Sequence, residues 1–139
     1  MQGLRTPSLA VAALGFVASV VVHVLAWVHV VPPGSQWVMW GLQAGLLLVW
    51  VPAALLAWRV VAGWKTDRYL RDYHLRPLLR AIPMTLRIGV CVLAAYALLV
   101  PFLPAHNALW SLAYGLREGS AYWMFGYGAA FALLWSVKK

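Results

Sequence analysis

Four long apolar stretches alternate with three polar intervals along the chain, and this alternation predicts the elements. The first stretch, 8–31, contains no Asp, Glu, Lys or Arg. At 1.5 Å per residue a helix of this length crosses a hydrocarbon core of about 30 Å with some tilt. It is longer than the apolar region of a signal peptide, so it is expected to remain as an anchor. Pro32, Pro33, Gly34 and Ser35 then predict a tight turn, because proline ends a helix and glycine reverses the chain. A second helix is predicted over 36–61, with a kink at Pro52, which removes one backbone hydrogen bond. Trp37 and Trp40 at one end, with Trp58 and Trp64 at the other, fit aromatic belts at two interfaces.

The interval 62–84 is too polar for lipid. Within it Asp67 precedes Arg71, and Asp72 precedes Arg76, by four residues, the favourable order for helical ion pairs. A short loop helix from Lys65 to Arg76 follows. A third span is predicted over 85–103, bounded by Pro101 and Pro104, and a fourth over 120–137, stopped by Lys138 and Lys139. Between them, in 104–119, Leu109, Leu112, Ala113 and Leu116 recur at helical spacing. That stripe predicts an amphipathic helix lying flat on the outer membrane surface. The fold class expected is therefore an all-α integral membrane protein, a single domain of four transmembrane helices in two hairpins.

Composition agrees with the pattern. Of the 139 residues, 64% are hydrophobic and 10% charged, whereas charged residues make up about a quarter of a soluble domain. The net charge of +8 raises nucleic acid as a partner, and the placement of the charges argues against it. Arg5, Lys138, Lys139 and the cations from Arg59 to Arg87 would all lie on one side of a four-span protein, leaving Arg117 alone on the other. This is the positive-inside bias, and it predicts both termini in the cytoplasm, in a membrane such as the bacterial inner membrane. Lys65, Arg68, Arg76 and Arg80 share one helical face, suited to anionic lipid headgroups or to the acidic surface of a partner. The one cysteine, Cys91, is expected to be a small buried hydrophobe.

Candidate chemistry is sparse. The three acids, Asp67, Asp72 and Glu118, all lie outside the four stretches, which disfavours proton-coupled transport through a membrane carboxylate. No catalytic triad, phosphate loop or carboxylate pair is present, so no enzymatic activity is expected. The polar residues inside the stretches are His23, Gln43, Tyr96 and Tyr127, and counting from the turns puts them in one layer of the outer half. Ala12, Gly15, Ser19, His23 and Ala26 form a stripe of mostly small residues, which points His23 into the bundle, hydrogen-bonded to Gln43 or a tyrosine. A metal or haem would need His23, His29 or His106. His29 is wrongly placed around the helix to share a ligand with His23, and His106 is level with His29 at the outer interface. No cofactor is therefore expected. Gly41 with Gly45, and Gly126 with Ala130, are small-xxx-small pairs that suit helix packing, within the bundle or against another membrane protein.

Three functions fit these residues. The first is an accessory, stabilising or inhibitory subunit that works by contact with another membrane protein. The second is a small carrier or channel that encloses a path as a homo-oligomer. The third is a haem- or metal-binding membrane subunit built on histidine. The lack of catalytic groups and the abundance of packing surface favour the first.

Overall fold

A computed structural model describes residues 2–28, 30–31, 33–62, 80–103 and 111–136. It is helical, with no strand among the described residues. Helix α1 covers Gln2–Trp27 and α2 covers Ser35–Ala62, continuing without a break through Pro52. Helix α3 covers Met84–Leu99 and tightens into a 3-10 turn at Val100–Phe102, where Pro101 has no N–H to donate to an α-helical bond. Helix α4 covers Ser111–Ser136. Within α1, α2 and α3 with its 3-10 turn, the segments Arg5–Trp27, Ser35–Arg59 and Met84–Phe102 are long and apolar enough to cross a membrane.

The first hairpin is shaped by its turn. Helix α1 ends at Trp27 rather than running to Val31, and the Val30 N–H closes the end by bonding the Leu25 carbonyl at 2.9 Å. Gly34 has φ +78°, a conformation that a side chain would strain, and its carbonyl accepts the Trp37 N–H at 2.9 Å to start α2.

Helix α4 is the hub. It packs against α1, α2 and α3, whereas α3 rests mainly on α4. The guanidinium of Arg5 reaches the last turn of α4, and His23, near the other end of α1, reaches its first turns, so α1 and α4 run antiparallel. Leu116, Ser120, Trp123, Tyr127, Ala130 and Leu134 are all buried and follow alternating steps of four and three, the seam of a packed bundle. Ala12, Leu42, Val49 and Ala53 meet this seam from α1 and α2, while Ala97 and Val100 of α3 pack on Ala121 from another side.

This arrangement corrects two expectations. The outer stretch 104–119 does not form a separate helix along its whole length, because from Ser111 onward it is the beginning of α4. Leu116, the last residue of its apolar stripe, is buried in the bundle instead of lying on a membrane surface. Periodicity alone does not say which apolar surface a helix meets. Cys91 is the second case, since it is exposed on the outside of α3.

Candidate functional site

The polar residues of the spans form two clusters. The first joins α1, α3 and α4 around His23, which is buried. Its Nδ1 lies 2.9 Å from Ser120 Oγ and 3.2 Å from the Arg117 carbonyl. Its Nε2 lies 2.6 Å from the Tyr96 hydroxyl and 2.9 Å from Trp27 Nε1. These partners select a tautomer. The Trp27 N–H can only donate, so Nε2 accepts, and the proton sits on Nδ1. The imidazole then donates to Ser120 Oγ, and the Ser120 hydroxyl donates onward to the Arg117 carbonyl at 3.0 Å.

Arg117 completes this cluster. It is only 8% exposed, its guanidinium donates to the Leu103 carbonyl at 3.2 Å, and its central carbon lies 4.7 Å from the centre of the Trp27 ring. A carbonyl and an aromatic face are both attractive to a cation, and both help to compensate for its loss of water. Tyr96 and Trp27 stand edge-on to the imidazole, which locks the ring's plane.

The second cluster joins α2 and α4, with α1 alongside. Trp123 Nε1 donates to Gln43 Oε1 at 3.0 Å, and the Tyr127 hydroxyl donates to the Leu42 carbonyl at 2.7 Å. Tyr127 fits because two glycines make room. A Cβ on Gly15 would run into its ring, and a Cβ on Gly45 would come within 2.5 Å of its hydroxyl. Gly126 packs against Leu46 in the same way. Ser19, fully buried, returns its hydroxyl to the Gly15 carbonyl at 2.7 Å, and Ala130 is fully buried in the same core.

The four polar residues thus do not form one hydrogen-bonded set. His23 and Tyr96 meet directly, but Gln43 faces Trp123 and Tyr127 faces Leu42, so His23 and Gln43 do not bond across the first hairpin. Depth was read from residue counts, and it says nothing about azimuth. Two residues on neighbouring helices can face different partners, as His23 and Gln43 do here. Gly41 does not take part in packing within the bundle. It is exposed, and a Cβ there would meet nothing within 4 Å, so of that glycine pair only Gly45 packs within the bundle.

Trp27, Arg117, Ser120, Trp123 and Arg5 were missed as site residues. Arg117 carries a signal, being the one cation away from the basic intervals, but its position in the chain gives only a side of the membrane and not its burial. Arg80 is exposed at the entry to α3. Lys65, Arg68, Arg76, His29 and His106 lie outside the described residues. Among the described residues no three His, Cys, Asp or Glu side chains come together as a metal site. His23 uses both ring nitrogens on protein partners, so a metal on it would have to displace hydrogen bonds that hold three helices together. Comparison with known protein families, characterised proteins and solved structures finds no match to this chain.

Proposed function

We propose that this protein is a non-enzymatic interaction subunit of a larger membrane assembly, with four membrane crossings and both termini in the cytoplasm of a bacterial cell. The observation that carries this reading is how the polar interior is used up. His23, Tyr96, Ser120, Trp27, Gln43, Trp123 and Tyr127 bond to one another or to the backbone, and each bond ties one element of the bundle to another or closes a helical turn. A solute path would need polar groups free to exchange partners with cargo. The outside, by contrast, is broad and apolar, with Leu14, Trp37, Trp40, Leu48, Trp58 and Phe102 all strongly exposed. Surfaces of this kind face lipid or another membrane protein.

The size and position of α4 support a fourth crossing. Its 26 residues span about 39 Å at 1.5 Å per residue, enough for a bilayer. It is less apolar than the other three because it is wrapped by them, and a helix that faces protein has less need of a lipid-compatible surface. The positive-inside bias favours the orientation with Arg5, Arg59, Arg80 and Arg87 at the cytoplasmic end and the His23 cluster in the outer half.

Purification in mild detergent at native expression level tests the function. A stoichiometric second protein that survives washing is the expected result. A lone chain, or a homo-oligomer that conducts a solute in liposomes, would overturn it in favour of a passive bundle or a carrier.

A further inference from the structure

Helices α1 and α3 meet at the His23–Tyr96 bond and do not close on each other below it. The gap is a groove of about 350 Å³ on the side of the bundle. Ala13 and Phe16 of α1 form one wall, Gly89 and Leu93 of α3 the other, and Gly128 and Phe131 of α4 the floor. Glycine keeps it open in two places. A Cβ on Gly89 would project into empty space, and one on Gly128 would come within 3.0 Å of Leu93. Thr85, at the start of α3, is the one polar side chain in the lining.

The groove has a charged end. It occupies the half of the bundle that holds the start of α3 and the C-terminal half of α4. The Arg5 guanidinium sits just beyond it, bonded at 3.0 Å to the carbonyl of Leu134, one turn past Phe131, and at 3.2 Å to that of Trp135 on an exposed side. The chain enters α3 through exposed Arg80, shortly before Thr85. An apolar trough open to the side, with cations at one end, matches a molecule with a long apolar chain and a negative head.

We propose that this groove binds an anionic phospholipid, one acyl chain lying over Gly128 between Phe16 and Gly89, with the phosphate at Arg5 and Arg80. The site rests on the membrane reading above but not on any protein partner. A zwitterionic lipid with the same chains would fill the groove equally well. Its cationic head group would cancel the attraction to the two arginines, so discrimination must come from the rim.

The test is native mass spectrometry of the full chain released from nanodiscs containing equal amounts of phosphatidylglycerol and phosphatidylcholine with matched chains. Wild-type protein should retain phosphatidylglycerol in preference by roughly tenfold, the size expected for one to two arginine–anion contacts at a surface. Gly89→Phe fills the groove from a position where a Cβ would meet nothing within 4 Å. It should lower the retained lipid of both kinds by about tenfold while helicity and melting temperature stay at wild-type values. Ala13→Phe is the second plug, should the first perturb α3. Arg80→Gln should move the two lipids towards parity without emptying the groove. Equal retention of the two lipids by wild type, or unchanged retention in both plugged variants, would overturn the proposal. So would loss of a bound protein, rather than lipid, on plugging. Absence of any protein partner in detergent would sink the interaction-subunit reading and leave this lipid measurement untouched.

Discussion

At the residue scale, His23 and Tyr127 hold the bundle by different means. His23 acts as a three-way junction, and its value lies in the polar groups it keeps satisfied. In His23→Leu the Tyr96 and Ser120 hydroxyls lose a partner inside the bundle, Ser120 keeping its bond to the Arg117 carbonyl, and the exposed Trp27 N–H is left with its longer bond to Tyr96. A buried polar group left without a partner costs about 1–3 kcal/mol, and hydrogen bonds in membrane proteins average nearer 0.6 kcal/mol, so a loss of about 1–3 kcal/mol is expected in total. Tyr96→Phe removes the bond to His23 and the longer one accepted from Trp27 at 3.3 Å, and should cost about 0.5–1 kcal/mol. Unfolding titrations in mixed detergent measure both, and equal stability of all three proteins would contradict the junction. Tyr127 works by shape. Gly15→Ala pushes a methyl group into its ring and should destabilise by about 1–3 kcal/mol, the usual cost of overpacking. Gly41→Ala has open space around it and should be neutral or gain up to about 1 kcal/mol from helix propensity. Thermal melts of the pair separate the two glycines, and a Gly41 variant as damaged as the Gly15 variant would refute the packing described.

At the element scale, the end of α4 depends on a residue from the start of the chain. The last carbonyls of a helix have no partner within it and carry the negative end of its dipole. Arg5 gives two of them, those of Leu134 and Trp135, a cationic donor. Arg5→Ala should therefore fray the last turn of α4 and cost about 0.5–2 kcal/mol, with Arg5→Lys recovering part of it. Faster amide exchange confined to the last turn of α4 is the expected signature, and exchange unchanged there would show that Arg5 is not its cap. The same scale explains why the stretch ahead of the fourth span was misread. Its apolar stripe has the period of an amphipathic helix, which serves equally for lying on a membrane and for packing into a bundle. Only the presence of α1 against Arg117 and Ser120, with Leu103 bonded to Arg117 and Leu116 buried, decides between them.

At the scale of the whole molecule, the proposed topology makes a direct prediction. With Cys91 replaced by serine, a single cysteine at Gly34 should react with an impermeant thiol reagent added to intact cells. A single cysteine at Lys65 or Lys139 should react only after the cells are opened. The reverse pattern would invert the topology, and labelling of Lys139 and Gly34 from the same side would remove the fourth crossing. The bundle's asymmetry is also a whole-molecule property. Three helices gather around α4, yet α3 touches α1 chiefly near the His23 end, so the other half of that seam stays open as the lipid groove.

The linear order of residues was enough to mark a helical chain, three of its spans long and apolar enough to cross a membrane, and the inward stripe of α1, because the cost of placing charge and unpaired backbone in lipid acts on composition and run length alone. It also marked His23 as a residue that needs a hydrogen-bonding partner. Which partner it has was a matter for tertiary structure. Tyr96 and Ser120 belong to helices far along the chain, and their azimuths depend on how α3 and α4 settle against α1. Residue counts had put Gln43 level with His23, but α4 takes Gln43 for Trp123 instead. The groove, the Arg5 cap and the burial of Arg117 are legible only in the folded bundle, since each is a relation between helices and not a property of any one of them.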